Sequence, residues 1–318
     1  MWPVGSRSGS LAFKAPGNFM SLAIPAHARS DTLRGIFAML AAMGSLIVND
    51  CFIKVVAAEL PVGEVVFLRG IFTTLLGACI VAMTIGLSTL RLAFARRMPL
   101  RAGAEVAATI LYLSALTRMP LADATALLQF TPLAITAGAA LFLGAHVGWR
   151  RWLATLVGLV GVLIIVRPGG EGFNPYSGLA LVAIVFVAAR DLITRRLGSE
   201  VPNIVVATAS GAAVAAASLL LGALETWIWP SPLAVLMLLC AGLALLGGNY
   251  WIVVAMRYGD IATVAPFRYS VILWAVVAGF LVWGDMPDGA TWTGIAIVSG
   301  AGLYTLLREH RLAKAQRA

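Results

Sequence analysis

The chain has 318 residues, 60% of them hydrophobic and only 12% charged, with a mean hydropathy of +0.93. That much apolar surface excludes an ordinary water-soluble domain and calls for lipid contact, so the chain reads as an all-α integral membrane protein. The net charge of +9 does not require nucleic acid, because topology explains its distribution; Cys51, Cys79 and Cys240 lie in apolar runs without metal-ligand spacing, so no disulfide, metal or cofactor is expected.

Residues 1–32 mix Gly, Pro, Ser and basic residues and are expected to form a disordered cytoplasmic tail. Ten apolar stretches follow, at 33–57, 64–87, 101–117, 121–143, 150–166, 176–193, 202–222, 231–255, 260–283 and 288–306, before a basic cytoplasmic tail at 307–318. Each approaches the ~20 residues with which a helix crosses a ~30 Å hydrocarbon core. The runs are continuous rather than alternating, which argues against barrel strands. With both termini inside, eighteen Lys and Arg residues fall on cytoplasmic segments and only Arg118 and Arg167 on outer ones, while Lys54, Arg69 and Arg268 lie in or at the edge of spans. This is the bias that orients multi-pass proteins in a bacterial inner membrane.

The segments "DCFIKVVAAELP" (50–61) and "DLITRRLGSEVP" (191–202) share Asp50/Asp191, Lys54/Arg195, Glu59/Glu200 and Pro61/Pro202 at one offset of 141. A second block agrees at 140: Ala115/Ala255, Ala122/Ala262, Gly144/Gly284 and Trp152/Trp292. The chain therefore reads as a duplication, 33–166 against 176–306. Five spans is an odd number, so the second copy enters from the opposite side and the halves are inverted. Carriers of that design bind substrate between the halves and alternate access.

Ten spans, an inverted five-plus-five duplication, and Trp152, Gly158, Gly161 and Trp292, Gly294, Gly300 in the last span of each half resemble the drug/metabolite transporter superfamily, in particular its EamA-type members. Within it the chain is most similar to YddG-type amino-acid exporters. The resemblance implies a basket-shaped bundle with a central cavity faced by spans 3, 4, 8 and 9. Riboflavin and S-adenosylmethionine carriers belong to the same group, so those substrates stay open.

Arg268 lies ~12 Å into the ninth span if that span starts at Asp260, close to the bilayer centre. A charge there costs ~3 kcal/mol even on the lenient insertion scale. Two readings stand, a substrate contact in a wet pathway or an arginine satisfied by helix carbonyls. Pro266 removes a backbone donor beside it and predicts a bend. Gln129, near Thr131 and Pro132 in span 4, is the counterpart of Tyr269 at offset 140 and is either a site residue or interhelical glue. Asn249, Tyr250 and Tyr112 are further candidates, and Phe267, Trp274 and Trp251 are candidates for an aromatic wall. Asp50 and Lys54, four apart, are expected to pair, as are Asp191 and Arg195. Inversion puts these pairs at opposite mouths, where they read either as two gates or as interfacial charges, with Arg69 answering Asp50.

No catalytic cluster or long loop supports an enzyme, although a membrane transferase is the different-class alternative. The expected function is export of small organic metabolites, neutral or aromatic amino acids first, by a monomer in the lipid bilayer; uptake of riboflavin or S-adenosylmethionine is the alternative. Glu105, ~6 Å into span 3 if that span begins at Arg101, is the deepest acid, and its expected role is pairing with a nearby basic loop residue. With the other acids at the span edges, a facilitator or exchanger without obligatory ion coupling is expected.

Overall fold

The computed structural model describes residues 26–95, 97–143, 148–167, 174–195, 201–222, 225–258 and 264–315. Among them all regular structure is helical: α1 Ala26–Val56, α2 Val62–Thr84, α3 Met98–Leu116, α4 Leu121–Leu128, α5 Thr131–Leu143, α6 Trp149–Val166, α7 Tyr176–Arg195, α8 Asn203–Gly222, α9 Pro232–Tyr258, α10 Ser270–Trp283 and α11 Gly289–Ala315, with 3-10 segments at Leu87–Phe94 and Ala265–Tyr269. Six segments are long and apolar enough to cross a membrane, Leu33–Val56, Val62–Thr84, Tyr176–Thr194, Asn203–Leu220, Pro232–Ala255 and Gly289–Arg308, and two shorter apolar ones run Trp152–Val166 and Phe267–Trp283. A helix, or a broken pair of helices, overlies each of the ten apolar stretches.

Three boundaries differ from expectation. Helix α1 begins at Ala26, just after Pro25, so the end of the expected tail is helical, and residues 1–25 lie outside the described residues. At the other end α11 continues to Ala315 because no Gly or Pro follows Gly302 and the sequence is rich in Leu, Arg, Ala and Lys. The fourth stretch is not one helix. Pro132 leaves the carbonyl four residues back without a helical donor, and the chain tightens into 3-10 bonds from Gln129 N–H to Ala126 O at 3.1 Å and from Phe130 N–H to Leu127 O at 3.0 Å. Pro266 does the same in the Ala265–Tyr269 segment that leads into α10. The two breaks, at 129–130 and at 269–270, are 140 residues apart.

Helix α1 packs along α9, α2 along α8, α3 along α7 and α6 along α11; α4 meets α10, α5 meets α7, and α1 also meets α10. Hydrogen bonds gather five interhelical connections at one end, called distal here. There Gly63 N–H donates to Glu225, Ile228 N–H to Glu64, Asn174 Nδ2 to Arg118 O, Lys54 Nζ to Met119 O, and Arg167 pairs with Asp288. The start of α1 and the finish of α11 lie at the other, terminal end.

Two contacts bring backbones close enough that only glycine fits. A Cβ on Gly70 in α2 would stand 2.9 Å from the Ala215 Cβ and 3.0 Å from the Gly211 carbonyl of α8, and one on Gly294 in α11 would stand 2.7 Å from the Gly161 carbonyl of α6. Small residues at helix crossings are how membrane helices gain dispersion contact where water exclusion contributes little. The outward face of α6 makes the complementary point: Leu153, Leu156, Val160 and Leu163 are exposed while Ala154, Gly158, Val162 and Ile165 are buried. That is an apolar surface suited to lipid. Gly294→Val should therefore cost about 1–3 kcal/mol by overpacking; thermal unfolding in detergent at an unchanged midpoint would show that α6 and α11 do not touch there.

Candidate functional site

The α7 end of the bundle carries an ionic network that spacing did not reveal in full. Arg101, on the first turn of α3, donates through Nε to Thr194 Oγ1 at 2.9 Å, through one terminal nitrogen to Ser210 Oγ at 2.6 Å, and through the other to Glu105 Oε2 at 3.1 Å. Arg190 of α7 completes it, reaching Glu105 Oε1 at 3.1 Å and Asp191 Oδ1 at 2.8 Å. Glu105 thus holds two guanidiniums, one from its own helix and one from α7, and Arg101 ties α3 to α7 and α8. Glu105 pairs with basic residues, but both stand on helices, α3 and α7, and not in a loop as expected. Arg190 next door reaches Asp191; the expected Asp191–Arg195 pair involves the Arg195 side chain, which lies outside the described residues. The signal for the network was Arg101 and Glu105 four apart on one helix face, but the α7 and α8 partners depend on packing.

Nearer the distal end, Asp50 is not paired with Lys54. Tyr112 OH donates to its Oδ2 at 3.1 Å and Asn49 Nδ2 to its Oδ1 at 2.8 Å. Lys54, one turn on, turns toward the distal surface, donating to the Met119 carbonyl at 2.8 Å with its ammonium 4.7 Å from the centre of the Trp283 ring. A carbonyl and an aromatic face serve the cation there, and Asp285 and Asp123 lie within its electrostatic reach. Arg69 of α2 is 9% exposed, its Nε has no hydrogen-bond partner, and it makes no ion pair among the described residues; the carboxylates it feels are Asp50 and Glu105. Asn49 Oδ1, Thr73 Oγ1 and Thr125 Oγ1 are likewise buried without partners. Thr73 is one turn from Arg69 on the same face of α2. Asp50 lies six residues from the end of α1 and Arg69 seven from the start of α2, so both are ~10 Å below the distal end at 1.5 Å per residue.

The other sequence candidates scatter. Arg268 is exposed and, among the described residues, forms no hydrogen bond or ion pair. Tyr269 does not share its surroundings: its ring presses on Gly302 of α11, and its hydroxyl is buried without a partner, so it packs the α10–α11 contact. Phe267 packs with Met39, Met43, Ala255 and Val264 in an apolar cluster rather than forming an open wall. Trp274 is 42% exposed and touches Gly44 of α1. Tyr250 and Trp251 are exposed and meet edge to face at 5.6 Å, while Asn249 donates to Leu245 O on its own helix. Gln129, half-buried, caps α4 at the break. Of the predicted residues, the fold brings together Asp50, Tyr112 and Arg69.

These environments separate the arginines by role. Arg101→Met leaves Glu105, Thr194 and Ser210 short of a partner and should cost about 3–5 kcal/mol, whereas Arg268→Met removes no contact and should stay within about 0.5 kcal/mol. Unfolding of the two variants in the same detergent decides it, and equal losses would mean that Arg268 is structural.

Residues 33–167 match the EamA-like transporter family. The chain is 34% identical to a riboflavin transporter of Vibrio cholerae over 57% of this chain and 60% of that protein, so the match spans about three fifths of the relative's length. It is 27% identical to an S-adenosylmethionine uptake transporter of Rickettsia felis over 62% of this chain and 66% of that one. The likeness to the pseudopaline exporter CntI of Pseudomonas aeruginosa is 26% over 83% of this chain and 93% of that one. In three dimensions the chain is similar to a solved crystal structure with a TM-score of 0.61 at 23% identity, covering 89% of this chain and 99% of that one, which fixes the likeness of fold. None of the three named relatives is a YddG-type exporter.

Proposed function

We propose that the chain is an EamA-type carrier of small organic metabolites in a bacterial inner membrane, built from two inverted five-span halves that alternate access. The observation that carries the reading is the symmetry of the helix packing. Let each span exchange with the one five places on: α1 with α7, α2 with α8, α3 with α9, the broken α4/α5 with the 3-10/α10 pair, α6 with α11. The α1–α9 contact then becomes the α7–α3 contact, α1–α10 becomes α7–α5, and the α2–α8 and α6–α11 contacts map onto themselves. Gly70 and Gly211, 141 residues apart, meet across this axis: a Cβ on Gly70 would face Ala215 and one on Gly211 would face Thr74, which are themselves 141 apart. Broken helices at matching positions in the two halves mark the substrate region of inverted-repeat carriers. The terminal end, with Arg91, Arg101, Arg150, Arg190, Arg308 and Arg311, is cytoplasmic on the excess of positive charge. The Arg101–Glu105–Arg190 network is then the cytoplasmic gate.

The first substrate reading is export of a neutral or aromatic amino acid, supported by the exposed Arg268, which is free to take one carboxylate, with Gln129 at the opposite break. Relatives named for riboflavin and S-adenosylmethionine support a second reading, uptake of a ring-bearing metabolite, for which the exposed Tyr250, Trp251 and Trp274 are suited. Exchange of labelled phenylalanine, riboflavin and S-adenosylmethionine by the purified protein in vesicles separates the two. Arg268→Ala should cut amino-acid exchange about tenfold or more, the loss of about 1.4 kcal/mol of binding, and leave riboflavin exchange intact if the second reading holds. Full amino-acid exchange by that variant would remove Arg268 from the site.

A further inference from the structure

Arg69 is a buried cation with an unpartnered Nε that lies within electrostatic reach of two carboxylates, Asp50 and Glu105, and makes an ion pair with neither. Asp50 of α1 is held by the Tyr112 hydroxyl and the Asn49 amide. Glu105 of α3 is committed to Arg101 and Arg190. From the distal surface inward, the described residues form a file that joins α1, α2, α3 and α7: Lys54, Asp50 with Tyr112, Arg69, Glu105 with Arg101 and Arg190, then Asp191. The carboxylate of Asp50 is the member of this file with no cation bound to it. The groups that face it are Arg69 from α2, Tyr112 from α3, and Asn49 and Cys51 from its own helix, on which Lys54 turns away toward Met119; α10 contributes no ionisable residue, and α9, which packs along α1, brings none into contact with it among the described residues.

We propose that Asp50 is a proton-binding site that couples transport to the proton gradient, with Arg69 as the element that responds to its charge. The inference rests on the carrier reading. When Asp50 is ionised, Arg69 is drawn to α1; when Asp50 takes up a proton, that attraction is gone and the remaining anion within reach of Arg69 is Glu105 on α3. Protonation thus transfers the pull on α2 from one neighbouring helix to another, and α2 lies on the symmetry axis through Gly70. Only an O–H bond forms and breaks: Asp50 takes one proton from water on one side and gives it to water on the other. Tyr112 positions the carboxylate by its hydrogen bond and exchanges no proton. The expectation of a carrier indifferent to ions placed Asp50 at the outer edge; its hydrogen bond from Tyr112 of α3 turns it toward the neighbouring helices.

The test uses the full chain in vesicles with labelled phenylalanine, riboflavin and S-adenosylmethionine. A pH gradient of one polarity should drive accumulation above equilibrium in the wild type. In Asp50→Asn the ratio of gradient-driven accumulation to exchange at equal pH should fall about tenfold or more, and the exchange should no longer vary with bath pH. Tyr112→Phe should keep the coupling and shift the pH at which exchange is half-maximal. Wild-type exchange that ignores the gradient would overturn the proton inference alone, as would gradient-driven accumulation that survives in Asp50→Asn or is lost in Glu105→Gln instead. No exchange of any of the three would count against the carrier reading. The proton site is then still decided by infrared spectroscopy of the wild type against Asp50→Asn: a protonated-carboxyl band that titrates with bath pH and is missing from the variant supports it, and its presence in both overturns it.

Discussion

Hydrocarbon supplies no hydrogen bonds, and a polar atom inside this bundle has only other parts of the chain to turn to. Two clusters meet that restriction in different ways. Around Glu105 each charge has a counter-charge and the arginine donors reach Thr194 and Ser210 as well, so desolvation is offset by short contacts in fixed geometry. Around Asp50 the balance is incomplete. Arg69 Nε, Asn49 Oδ1, Thr73 Oγ1 and Thr125 Oγ1 are buried without partners, at a cost of about 1–3 kcal/mol each when nothing replaces the lost water. A bundle that satisfies one cluster fully and leaves its neighbour open spends stability where movement, water or a ligand is needed.

The duplication makes that contrast informative. At offset 141 the counterpart of Asp50 is Asp191, that of Asn49 is Arg190 and that of Arg69 is Ser210. The backbone plan is therefore repeated while the charges are exchanged. Asp191 gains a cation from the residue beside it and Ser210 becomes an acceptor for Arg101, whereas Asp50 gains a neutral amide and faces its arginine across a helix boundary. On the proposed carrier reading, equal backbones let either half take the conformation of the other, as alternating access demands. Unequal charges make the two conformations differ in energy.

How far the sequence could be read follows from the range of each interaction. Apolar runs and the basic bias depend on residues close in the chain, and helices overlie all ten stretches. The proline-induced bend beside Arg268 was legible because Pro266 acts on its own turn; the break at Gln129 has the same cause in Pro132. The Asp50–Lys54 pair failed because spacing of four gives two side chains a common face but not a common direction. Lys54 found a carbonyl and an aromatic ring from elsewhere in the chain, and Asp50 a phenol 62 residues away. Tyr269 failed for a related reason. Its depth and its counterpart suggested a site, but a glycine at 302 opened a slot on α11 that no local pattern announces.

Arg268 and Arg69 show why burial, rather than depth along a span, sorts intramembrane charges. Both lie well inside their helices by residue count, yet Arg268 is exposed at the lead-in to a broken helix and Arg69 is nine-tenths enclosed. An exposed guanidinium at that depth must face either lipid, at several kcal/mol, or a wet path, where the cost is small and a carboxylate is welcome. The Ala265–Tyr269 segment packs on α1 and α11, and Phe267 and Tyr269 on either side of Arg268 are turned into those contacts. Arg268 therefore projects from a fixed platform. Arg69 has no such freedom, and the one response open to it is to the charge of its two carboxylate neighbours. On the proposed reading, ligand recognition falls to the arginine in the second half, and the response to protons to the arginine in the first.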